Sequence, residues 1–233
     1  MTSRRVFTEE LKKLDDEVAQ MARLAVEAIE KGVKAFVDID ENLTNDVKSL
    51  DEEIYCWDIR IEKHCLDVIA LHAPVAGDLR TVSTCLKIIT DLNRIGRYAL
   101  DIAEFTEHFH DQTHFKKLVS IPFMGERVVA MVTQAVESYV HRNAEEACAL
   151  YDKDDEVDHL WESILRETLS YMMEDPRKTT LGTYYILVAR YLERIADHSV
   201  NIGERVAYMV TGKRLKARDW TQICVDPDDL SGK

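Results

Sequence analysis

The sequence is poor in breakers: four prolines and eight glycines in 233 residues leave the chain weakly punctuated between long periodic segments. Its five cysteines, Cys56, Cys65, Cys85, Cys148 and Cys224, are scattered with no Cys-x-x-Cys, which excludes a zinc knuckle and a redox pair. Their helical-stripe positions suit reduced thiols in a cytosol. Basic charge is also short. Thirty Lys and Arg against 43 Asp and Glu give a net charge of -13, which opposes nucleic-acid backbones and anionic lipid alike. No uncharged run approaches the roughly 18 residues of a membrane span, and the N-terminus MTSRRVFTEELKKLDDE lacks the apolar core of a targeting segment. A cytoplasmic protein without membrane insertion is expected. Gly-rich phosphate loops, HExxH and GxSxG are missing as well, and Ser, His and Asp form no recognisable local arrangement, so no enzyme is expected.

What is present is a repeat. DLNRIGRYALDIAE, residues 91–104, returns one hundred residues later as YLERIADHSVNIGE, residues 191–204. Leu92, Arg94, Ile95, Ile102 and Glu104 meet Leu192, Arg194, Ile195, Ile202 and Glu204. In the second copy Leu181, Tyr185, Val188, Leu192, Ile195, Ser199, Ile202, Val206 and Met209 recur at alternating steps of four and three, one stripe of a packed helix. Cys85, Ile88, Leu92, Ile95, Ala99 and Ile102 form the same seam in the first copy.

The duplication extends further, since Asp51-Glu52-Glu53-Ile54 matches Asp154-Asp155-Glu156-Val157, and Ala25-Val26-Glu27 matches Ala135-Val136-Glu137. Six helices are expected, over about 8–39, 44–72, 78–110, 123–152, 154–173 and from 179 to about 211. Thr8 is a candidate N-cap and Gly212 a candidate C-cap. The chain thus reads as all-α, a tandem duplication of a three-helix bundle: one repeat over 8–115, a second over 120–212, and a tail over 213–233.

The sharpest functional candidate is Glu193 with Asp197, four apart and therefore neighbours on one helix face. With Leu192, Ile195, Ser199 and Ile202 as the seam, both carboxylates fall on the solvent side with Arg190, Arg194, Asn201 and Glu204. Two carboxylates so spaced can share a hard or borderline cation. The same spacing equally suits an ordinary charged face, with Arg190 and Arg194 as partners. In the first copy Asn93 and Arg97 replace the two acids, so a cation site there is expected to be weak or absent. His110 and His114, with Asp111 between them, form a second candidate for a transition metal. Glu-x-x-His at Glu107–His110 and Glu156–His159 raises a carboxylate-bundle metal-storage or redox protein as the alternative, although Glu156 and His159 flank the seam instead of entering it.

Glu193-Arg194-Ile195-Ala196-Asp197, with its counterpart a hundred residues earlier and Pro74-Val75-Ala76-Gly77-Asp78-Leu79-Arg80 ahead of the first motif, resembles the PhoU family of phosphate-uptake regulators. The resemblance implies two three-helix bundles in tandem, self-association as a homo-oligomer, and iron, zinc or another divalent cation on the signature helices. Only Glu193 and Asp197 carry that signature over in full. It also implies a regulator of phosphate uptake and phosphate-starvation signalling, a non-enzymatic adaptor between the ATPase subunit of a phosphate ABC transporter and a sensor histidine kinase.

Overall fold

The computed structural model describes residues 2–109 and 112–213, and among them every regular element is helical. Helices α1 (Thr2–Asp38), α2 (Glu41–His72) and α3 (Ala76–Glu104) form the first half. Helices α4 (Ser120–Val140), the five-residue α5 (Ala144–Cys148), α6 (Leu150–Glu174) and α7 (Thr179–Thr211) form the second. Every residue of the two stripes named above is buried, from Leu181 to Met209 in α7 and from Cys85 to Ile102 in α3. Gly212 ends α7 in the left-handed region at φ 73°, its N–H donating to Tyr208 O. His110, Asp111, Cys224 and the tail beyond Lys213 lie outside the described residues.

Three expected boundaries move. Thr8 caps nothing: it sits inside α1, where its Oγ1 donates to Arg4 O. Helix α3 stops at Glu104 and tightens into a 3₁₀ turn over Phe105–His108. The single helix expected over 123–152 breaks at 141–143, because Arg142 takes φ 55° and Asn143 caps a fresh start, accepting from the N–H groups of Glu145 and Glu146. The break lets Arg142 turn back. Its Nη2 donates to both carboxylate oxygens of Asp15 on α1, at 2.9 and 2.8 Å, its Nη1 reaches Tyr139 O, and its guanidinium covers the Tyr139 ring.

The halves are not independent beads. Helix α1 packs on α4 and α3 packs on α7, so one buried apolar cluster runs through both repeats. Both cross-pairs are antiparallel. Tyr98 stacks on Tyr191 at 5.6 Å, His198 Nδ1 meets Asp91 at 2.8 Å, and Arg80 reaches Met209 O at the far end. Inside the first half, Gly32 lets α1 approach α3: a Cβ there would stand 2.6 Å from the backbone oxygen of Ala99, too close for any other residue.

Within the first half, His64 of α2 sits between Glu17 and Glu10 of α1, at 2.7 and 2.9 Å. Arg142→Ala removes a charge-assisted bridge between the halves without relieving the left-handed backbone, so it lowers unfolding stability by about 1–2 kcal/mol. Urea unfolding with an unchanged m-value is the expected signature.

Candidate functional site

Helix α7 is touched by α3, α4, α5 and α6, so it buries more than the one stripe legible from its periodicity. A second stripe, Ala189, Glu193, Ala196, Val200, Gly203 and Ala207, is buried as well. Glu193 lies on it and is only 8% exposed, which corrects the expectation of a solvent-side carboxylate. Asp197, beside Ala196, stays exposed as expected.

Facing Glu193 is α6, which runs antiparallel to α7. Tyr151 Oη donates to Glu204 at 2.5 Å at one end of the contact, and the Arg190 guanidinium lies 5.5 Å over the Trp161 ring at the other. Between these two contacts the register sets Asp154 and Asp158 opposite Asp197 and Glu193. Four carboxylates therefore share one inter-helical seam, two from each helix, each pair four residues apart.

Their electrostatics show how closely they press. Burial first, and then the charges of Asp158, Asp197 and Glu193, push Asp154 up to about 7. Burial and Asp197 raise Asp158. Burial and Asp197 raise Glu193 too, against the opposing pull of Arg190. Two carboxylate oxygens, Oε2 of Glu193 and Oδ1 of Asp154, are buried with no hydrogen-bond partner. A buried acceptor left unpaired is costly, more so when it carries charge. The other oxygen of Glu193 is held by Arg190 in an intrahelical ion pair. Among the described residues, no three His, Cys, Asp or Glu side chains stand arranged so as to hold a metal ion.

Asp154 and Asp158 were missed as site residues, although the sequence held the signal. Asp154-x-x-x-Asp158 repeats the spacing of Glu193-x-x-x-Asp197 and lies in a segment already matched to Asp51–Ile54.

The first half fills the same four positions differently. Asp51 and Tyr55 of α2 correspond to Asp154 and Asp158, while Asn93 and Arg97 of α3 correspond to Glu193 and Asp197. They line a polar cleft of about 700 Å³. There Arg97 Nη1 lies 3.4 Å from Asp51 and its Nε 3.8 Å from Asp101, while Asn93 Nδ2 donates to Asp58 at 2.8 Å. A guanidinium on the protein itself stands where the second half concentrates acid. These residues do not fit a metal.

The histidine candidate also dissolves. His114 is held by Tyr185 Oη at Nδ1 and by Phe36 O at Nε2, both at 3.0 Å, and is walled by the rings of Phe36, Phe109 and Tyr185. Burial lowers its pKa, and both nitrogens are committed to the protein. It anchors the connection between the repeats. His110 and Asp111 fall outside the described residues. Of the Glu-x-x-His pairs, His159 is exposed and its Nδ1 donates to Asp155 O, away from any core.

Comparison with known proteins agrees with the two-fold architecture. The model of the PhoU domain matches twice, at residues 18–106 and 121–206. A Clostridium acetobutylicum protein named phosphate-specific transport system accessory protein PhoU homolog is 34% identical over 218 residues, covering 93% of this chain and all of that protein. A protein of the same name from Deinococcus radiodurans is 40% identical over 173 residues, 74% of this chain and 81% of its own length. Among solved structures, PhoU from Pseudomonas aeruginosa superposes with a TM-score of 0.84 at 31% identity, covering 89% of this chain and all of that one. The phosphate transport system regulatory protein PhoU from Streptococcus pneumoniae gives 0.82 at 25% identity, with 90% and 99% covered. No helix among the described residues is long and apolar enough to cross a membrane.

Proposed function

The chain belongs to the PhoU family, and from that premise we propose that it is an accessory protein of a phosphate-specific transport system, acting by docking and not by catalysis. The observation that carries this reading is the full-length match to relatives bearing that name. The partners proposed are the ATPase subunit of the phosphate ABC transporter and a sensor histidine kinase. The protein damps uptake and the starvation response when phosphate is plentiful. It acts from the cytoplasm and as a homo-oligomer.

The carboxylate seam of α6 and α7 is the part of the surface proposed to be adjustable. Asp154, Asp158, Glu193 and Asp197 would hold a divalent cation such as iron or zinc, for which oxygen donors and two buried unpaired carboxylate oxygens are a chemical fit. The cation supplies positive charge and nothing else is required of it. The protein's own residues do the rest: α6 and α7 fix the spacing of the four acids, and Arg190, Arg194 and Asn201 line an adjoining polar cleft of about 420 Å³ with Asp197. Offsetting part of the seam's negative charge changes what this face shows a partner, which governs specificity and association rate more than affinity.

Two measurements test the function. Deleting the gene in its host should leave phosphate-starvation genes switched on in phosphate-rich medium. Immobilised protein should capture the transporter's purified ATPase subunit at low ionic strength and release much of it as salt is raised. A deletion strain that represses normally, or an ATPase subunit that is never retained, would end this reading.

A further inference from the structure

The four acids of the α6–α7 seam stand together without converging. The reason lies in one side chain. The Arg190 guanidinium is bonded to Oε1 of Glu193 on its own helix and covers the Trp161 ring of α6 at 5.5 Å, so it is fixed from both helices at the edge of the seam. It lies close enough to Asp158 to favour that carboxylate's charge as well. Glu193 is 8% exposed, and its other oxygen, Oε2, is buried without a partner. With Oε1 tied to Arg190, Glu193 cannot present both oxygens to the centre of the seam.

We propose that Arg190 is a tethered competitor for the cation site. Its guanidinium occupies Glu193 when no ion is bound, must let go for Asp154, Asp158, Glu193 and Asp197 to close on a divalent cation, and emerges as a free surface charge when it does. This rests on the cation site proposed above and adds its regulation. An ion entering the seam must displace one positive charge that the protein already supplies, so Arg190 sets an affinity threshold. The first half shows the same logic carried to its end. There Arg97 has taken the acid's own position, is paired with Asp51 and Asp101, and has no competing ion to admit. Arg194, one turn on, makes the contrast inside α7: it bonds the Tyr98 hydroxyl at 3.2 Å, across the junction with α3, and although its charge reaches Glu193 it forms no ion pair with any of the four acids.

The experiment is Mn²⁺ titration by calorimetry of the whole chain and of four variants, each first shown by circular dichroism to melt cooperatively. Arg190→Gln, which keeps length and removes charge, should bind Mn²⁺ at least tenfold more tightly than the parent. Arg190→Lys, which keeps the charge, should stay within about threefold of the parent, and so should Arg194→Gln, an equal loss of charge beside the seam at a side chain that pairs with none of its acids. Glu193→Gln should lose the tight site. The proposal is overturned if Arg190→Gln binds no more tightly than the parent. It is equally overturned if Arg190→Gln and Arg194→Gln gain alike, since net charge and not competition would then set affinity. Absence of Mn²⁺ binding in parent and Arg190→Gln alike would remove the cation site itself, a separate failure that leaves the transporter-docking measurements untouched.

Discussion

Asp154→Asn should raise unfolding stability by about 2 kcal/mol at pH 8 and leave it unchanged at pH 4. In the folded protein Asp154 is pushed up to about 7, against an ordinary value of 3.8. Because the folded pKa is the higher one, the folded state holds its proton longer than the unfolded chain. The favourable contribution is complete below pH 3.8 and is lost as pH rises through 7. A three-unit displacement corresponds to about 4 kcal/mol, and partial solvent screening of a half-buried group brings it to about half of that.

Asparagine keeps the shape, cannot ionise, and removes one of the four charges that repel across the α6–α7 seam. Titrating groups remote from the seam contribute equally to variant and parent and cancel in the difference. Urea unfolding at pH 4, 6 and 8 reads the result. A difference that does not grow with pH would mean that Asp154 is not held against its charge. Saturating Mn²⁺ should narrow the gap, because it offsets repulsion in the parent's seam and has less to offer the variant.

Phe36→Ala should cost about 4 kcal/mol, the upper range for emptying an aromatic site in a packed core. Phe36 is fully buried near the end of α1. Edge-to-face contacts tie it to Phe109 at 5.6 Å, His114 at 5.4 Å and Tyr185 at 6.0 Å, joining the first repeat, the connection and α7. Since one apolar cluster runs through both halves, calorimetry should show a single transition shifted down by about 10 °C. Two separated transitions would mean that the repeats fold as independent units.

The sequence reached the architecture because duplication and periodicity are properties of the chain itself. Leu92 and Leu192, Ile95 and Ile195, Ile102 and Ile202 announce the same helix twice, and a step of 3.6 residues fixes which side chains share a flank whatever packs on it. The break at Arg142 escaped because its local signal, the Asn143 cap, is a single residue, and its other support, the ion pair of Arg142 with Asp15, comes from far away in the sequence. Exposure escaped for a related reason. Periodicity orders positions around a helix, but how wide an arc is covered depends on how many neighbours arrive, and α7 receives four helices where one seam was legible.

Glu193 therefore passed from the water to the interior, and Asp154 and Asp158, present in the sequence as a second acid pair, acquired meaning only when α6 was laid antiparallel against α7. Spacing along one helix is written in the chain; the meeting of two helices, and the arginine that stands between their acids, is decided by the packing that brings them together.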